Sequence, residues 1–189
     1  MRSLRAVIYV ACILCFIYLT VSIVMNVFLK EDNEPFDVNN ISANDSEIQI
    51  ATDISIGTSS RLLKNVSIEG HVFTLYDVQP YEGEFGIAEF TRIRKFDRYR
   101  FASASHSKET IQAKVIQAKE GVSVVLGVKV NSGLHKLIVS NGQESIEKMV
   151  SKQNFLEVIP FNYSKTATNV TIVGYDEQGK EITKKVIHN

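Results

Sequence analysis

The chain opens on an apolar run. From Ala6 to Leu29, AVIYVACILCFIYLTVSIVMNVFL, no residue is charged. As a helix rising ~1.5 Å per residue, the run would be about 36 Å long, enough to cross a ~30 Å hydrocarbon core. It is longer than the ~7–15-residue core of a secretory signal, and no small-residue cleavage pattern follows it. The pattern predicts an uncleaved transmembrane signal anchor over residues 6–29. Residues 30–45 are acidic and polar, and predict an extended stalk.

Beyond the stalk the apolar period becomes two. Val122, Val124, Leu126, Val128 and Val130 alternate with smaller or polar residues, as in a half-buried strand. Val66 to Leu75, Ile87 to Arg94, Ile111 to Gln117, Leu137 to Ser140, Phe155 to Phe161, Val170 to Tyr175 and Ile182 to Ile187 read similarly. Turn signals separate them: Pro80 to Gly83, Asn131 to Gly133, Ser140 to Gly142 and Asp176 to Gly179. In the last of these, Asp176 can bond the backbone ahead of it. Gly179 can take the left-handed conformation that closes a type I turn with a bulge. Ser145 to Lys152 is the exception to period two: Ile146, Met149 and Val150 have helical spacing and suggest a short helix. Many short strands at this spacing predict an all-β sandwich or barrel.

Part of the strand region resembles a known family. Phe155-x-x-x-Ile159-Pro160-Phe161, then Asn169-Val-Thr-Ile-Val-Gly-Tyr-Asp176-x-x-Gly179, is similar to the end of bacterial immunoglobulin-like domains, and Leu137 to Gly142 is similar to an earlier turn of theirs. The likeness covers about residues 119–189. It departs from the family pattern in having no glycine before Asn169 and a lysine after Gly179. The resemblance implies an immunoglobulin-like β-sandwich acting as a spacer or binding module on a cell-surface protein. It carries over no catalytic residue. The expected organisation is therefore a tail at 1–5, the anchor at 6–29, the stalk at 30–45, a β-rich region at 46–118 and an immunoglobulin-like domain at 119–189. The β-rich region is either a second domain or further strands of one sandwich.

Charge sets orientation and narrows function. Arg2 and Arg5 precede the apolar run, whereas Glu31, Asp32, Glu34 and Asp37 follow it. By the positive-inside rule the amino terminus is expected in the cytoplasm and residues 30–189 outside. The 21 basic residues equal the 21 acidic ones, which argues against a nucleic-acid binder. The only cysteines, Cys12 and Cys15, lie within the apolar run, so the outer part has no disulfide. Asn40, Asn44, Asn65, Asn162 and Asn169 begin N-x-S/T sequons. The bacterial-type turns and the lack of outer cysteines favour reading these as chance occurrences.

One segment carries candidate chemistry. In Phe90-Thr-Arg-Ile-Arg-Lys-Phe-Asp-Arg-Tyr-Arg-Phe101, residues Arg92, Arg94, Arg98 and Arg100 share parity. If Lys95 to Asp97 form a turn, the four arginines would line one face of a hairpin. The arginine fork suits phosphates and carboxylates, so an anionic envelope polymer, a lipid headgroup or an acidic protein would fit there. The competing reading is a solvated face neutralised by Glu82, Glu84 and Glu89. Ser105-His-Ser-Lys108 matches S-x-x-K of the penicillin-binding proteins, but S-D-N and K-T-G are missing and the segment reads as a loop. His71, His106, His135 and His188 have no metal-ligand spacing. No metal, cofactor or catalytic set is expected. The expected function is a membrane-anchored, non-catalytic binding or spacer module. An accessory subunit of a membrane complex, contacting its partner through Thr20, Ser22 and Asn26 of the apolar run, is the alternative. An envelope hydrolase ranks last.

Overall fold

A computed structural model describes residues 15–22, 35–94, 96–119, 121–129, 131–151, 153–161 and 169–188. They contain two helical segments, α1 over residues 15–22 and α2 over Asp45–Ile56. Eleven strands follow: β1 Ser60–Ile68, β2 His71–Val78, β3 Phe85–Arg92, β4 Tyr99–Ser107, β5 Ile111–Ala118, β6 Gly121–Val128, β7 Lys136–Ser140, β8 Ser145–Met149, β9 Phe155–Phe161, β10 Asn169–Tyr175 and β11 Glu181–His188. The chain is mostly β, with antiparallel sheets compatible with a β-sandwich.

The expected fold class, an all-β protein behind a transmembrane helix, is corrected on both counts. The described residues include two helical segments beside the strands. Among the described residues no helix is long and apolar enough to cross a membrane. Residues 6–14 and 23–29 of the apolar run, Cys12 and Asn26 among them, lie outside the described residues.

Residues 37–189 form one compact unit. Its strands make three sheets, ordered β1-β2-β3-β4, β5-β6-β9 and β11-β10-β7-β8. The apolar clusters show how these stack. Phe73 and Leu75 of β2 and Phe85 and Ile87 of β3 pack on Val125 of β6 and Leu156 of β9. The opposite face of the β5-β6-β9 sheet, with Val122, Val124, Leu126 and Ile159, packs on Leu137, Val139, Val170 and Ile172 of the third sheet. The middle sheet is covered on both faces, so all eight residues of β6 are buried. This is why Val122 to Val128 carries no charge: a strand covered on both faces has no solvent side to place one on. Gly127 permits the close approach, since a Cβ there would lie 2.6 Å from Leu75 Cδ1.

The outer face of the first sheet is covered by α2. Ile48 and Ala51 of the helix pack with Val72, Tyr76, Ala88 and Phe90. Asn44 caps α2 by accepting from Glu47 N at 2.8 Å, and Gly57 closes it at φ 72°. No helix was expected here. Ile48, Ile50, Ile54 and Ile56 stand at even spacing and imitate a strand, whereas the buried set Ile48, Ala51 and Thr52 has helical spacing. The segment expected as the end of the stalk is also bound to the sheet. Ile41, 1% exposed, exchanges backbone bonds with Tyr99 at 2.9 and 2.8 Å.

Two local expectations fail. Ser145 to Met149 is the edge strand β8, not a helix. Pairing with β7 places Ile146 opposite Val139 and against the core, and leaves Met149 55% exposed. Ser105 belongs to β4 rather than to a loop. The last hairpin forms as expected: Asp176 Oδ1 accepts from Gln178 N at 3.0 Å and Lys180 N at 2.8 Å, and Gly179 has φ 79°.

Candidate anion-binding site

The arginine segment is built by the β3–β4 hairpin. Ile93 N donates to Arg98 O at 2.8 Å and Phe96 N to Ile93 O at 3.1 Å, closing the turn, while Lys95 lies outside the described residues. Register decides where the arginines go. Arg92 stands opposite Tyr99, and Arg100 opposite Thr91. Directly opposed residues share a face, so Arg92 and Arg100 leave the ladder on opposite faces, not on one. Equal parity on the two strands does not imply a common face, because the turn length sets the phase between them.

Three of the four arginines nevertheless converge at the end of the hairpin. Arg92, Arg94 and Arg100 line a cavity of about 1050 Å³ together with Lys119, His71, Glu69, Thr91 and Asn39. Lys119 comes from the end of β5 and Glu69 from the two-residue turn between β1 and β2. Both residues of that turn have positive φ, Glu69 at 47° and Gly70 at 82°, as a type I′ turn requires. Glu69 Oε2 accepts the Lys119 N–H at 2.8 Å and so ties the two turns together. Arg100 Nε donates to Thr91 Oγ1 at 3.3 Å, and Arg92 pairs with Asp97 at 3.2 Å, both side chains of that pair being largely exposed. Arg94 has no ion-pair or hydrogen-bond partner among the described residues. The cavity thus presents four permanent cations and a single lining carboxylate.

Arg98 does a different job. Its guanidinium donates to Asn40 Oδ1 at 3.0 Å, to Asn40 O at 2.6 Å and to Ser42 Oγ at 2.8 Å. It fastens the segment before α2 to the hairpin and does not line the cavity. Glu47 completes this junction. The Ser42 N–H on its carboxylate, opposed by burial and aided by Asn44, Ser42 and Arg98, holds its carboxyl below the ordinary value.

The carboxylates considered as partners for the arginines are engaged elsewhere. Glu84 approaches His106 at 3.8 Å and Lys108 at 4.0 Å. Glu82 lines a separate cavity beside Pro80 and Tyr81. Glu89, 8% exposed, binds His71 Nδ1 at 2.8 Å through one oxygen and Lys114 through the other. Burial works to raise its carboxyl, but the bonds from Lys114 and His71 outweigh it and the net direction is down.

His71, Glu69 and Lys119 were not singled out with the arginines. Turn signals mark Gly70 and Gly121, but nothing in the sequence says that these turns meet the β3–β4 hairpin at one end of the stacked sheets. The structure places the other residues weighed in the sequence as follows. Among the described residues no group of His, Cys, Asp and Glu could hold a metal. His106 Nδ1 lies 3.4 Å from the Tyr76 hydroxyl, which burial pushes up to about 12. Among the described residues no serine hydroxyl bonds a histidine. Thr20 donates back to its own helix at Phe16 O and Ile17 O. Asn44 and Asn65, each in a sequon, use their side chains internally, the first as the α2 cap and the second between Asp45 and Thr74. The fold and site define a layered antiparallel β protein with a basic cavity at one end. Comparison with protein-family models, curated proteins and solved structures gave no match.

Proposed function

We propose that this protein is a non-catalytic binding module that takes a polyanion in the cavity lined by Arg92, Arg94, Arg100 and Lys119. The convergence of those four cations on one cavity is the observation that carries the reading. Keeping such a cluster together costs mutual repulsion, which a bound anion relieves. Three guanidinium forks in one cavity suit sulfate, phosphate or clustered carboxylate groups better than a single monovalent anion. In this reading the strands from β5 onward supply an immunoglobulin-like scaffold, as the turn motifs at Asn169 to Gly179 suggest, and the first sheet supplies the site. His71 lines the cavity and its Nδ1 is bound by the buried Glu89, but among the described residues no hydroxyl or thiol is hydrogen-bonded to the imidazole as a nucleophile would be. That favours binding over hydrolysis.

Sucrose octasulfate is a suitable probe, because its sulfate esters stay fully ionised. The full chain is expected to bind it, with affinity falling as salt rises. The triple variant Arg92→Ala/Arg94→Ala/Arg100→Ala is expected to lose at least about tenfold, while Arg98→Ala keeps the affinity. Equal binding by the wild type and the triple variant, or no binding at low salt, would refute the proposal.

A further inference from the structure

Arginine and lysine keep their charge throughout the physiological pH range, but one group on the cavity wall does not. His71 lines the cavity with its side chain 34% exposed. Its ring stacks on Phe73 with centroids 5.9 Å apart, and its Nδ1 lies 2.8 Å from Glu89 Oε1. An ionised carboxylate only accepts, so Nδ1 carries the hydrogen and Nε2 is the nitrogen left to take up a proton. The second Glu89 oxygen is bound by Lys114, which also reaches Ser103. Lys114 already balances the Glu89 charge, so the pair does not require a charged imidazole. Glu89 stays ionised where imidazoles titrate, since its carboxyl lies below the ordinary value.

We propose that His71 is a proton-linked member of the anion site: a bound polyanion draws a proton onto Nε2, and the site binds more tightly as pH falls. This rests on the anion-binding reading above. The charged groups around His71 set the sign. Glu89 of β3, Lys114 of β5, Arg92 and Arg94 at the end of β3, Arg100 of β4, Lys119 after β5 and Glu69 of the neighbouring turn all surround it. A polyanion held by the cavity cations places negative charge beside the His71 ring and favours an imidazolium. Binding and protonation are then coupled reciprocally: the site takes up a proton on binding, and acid raises affinity through the pH range of an imidazole.

Isothermal calorimetry of the full chain with sucrose octasulfate tests this, at about pH 5.5 and about pH 8, in buffers of different ionisation heat. The expected result is net proton uptake of a fraction of one per site, with affinity roughly tenfold higher at the lower pH. His71→Gln, which keeps a side chain able to donate to Glu89, is expected to bind at both pH values with the weaker affinity and without proton uptake. Binding by the wild type without proton uptake would overturn the inference and leave the anion site standing. So would an unchanged pH dependence in a folded His71→Gln variant. Absence of binding at every pH would overturn both.

Discussion

At the scale of single residues, position in the ladder separates four arginines that are alike in sequence. Arg98 faces the segment before α2 and is consumed by Asn40 and Ser42, whereas Arg94, past the end of β3, keeps its charge for the cavity. Glu89 shows the same dependence on place. It lies on the face of the first sheet turned toward the middle sheet, where burial would make a lone carboxylate costly and Lys114 makes it tolerable. Its folded carboxyl is below the ordinary value. Its contribution to stability is therefore present above the unfolded carboxylate value and is lost as pH falls through the lower folded one. Urea unfolding is expected to show wild type losing stability as pH falls below the ordinary carboxylate value of 4.5. Glu89→Gln should be weaker at neutral pH by about 1.5–3 kcal/mol and should show less of that acid loss. Identical acid profiles for the two proteins would count against the pairing.

At the scale of elements, α2 is held by its ends as much as by its face. Asn44 caps one end. At the other, Asp53 Oδ1 accepts from Ser60 N at 2.7 Å and so joins the helix to β1. The helix then covers Tyr76 and Phe90, which would otherwise leave a sheet face in water. Asn44→Ala is expected to cost about 1 kcal/mol. Hydrogen exchange should locate the loss at residues 45–56, with the β9 and β10 amides keeping their protection. Uniform loss across all strands would mean that the helix does not open separately. Local signals for most strands were plain: period two, the turns at Gly133, Gly142 and Gly179, and the hairpin of β10 and β11. They failed where two periods overlap. No helix was expected over α2, whose isoleucines are evenly spaced, and Ile146, Met149 and Val150, at helical spacing, suggested a helix where β8 forms. In each case the packing partner decided, Tyr76 and Phe90 for the helix and Val139 for the strand.

At the scale of the compact unit 37–189, the middle sheet belongs to two interfaces at once. Val125 and Leu156 face the first sheet while Val124 and Ile159 face the third, so neither sandwich has a complete core without β6 and β9. Cooperative unfolding follows. Calorimetry is expected to show one transition for this unit. Gly127→Val, which forces side-chain atoms against Leu75, should shift that whole transition downward by about 1–3 kcal/mol. Two separable transitions, with only the earlier one moved by the substitution, would show that the sheets fold independently.

The sequence by itself determined the β-rich character of the chain, the positions of most strands and the chemistry of the last turn. These follow from side-chain alternation and from the φ angles that particular residues permit. It also marked the arginine segment as unusual. It did not determine that α2 is a helix, that Arg92 and Arg100 leave opposite faces, or that Lys119 and His71 meet Arg94 at one cavity. A period records that a position is buried but not what buries it. Only the stacking of three sheets brings turns that are far apart in the chain to the same end of the molecule.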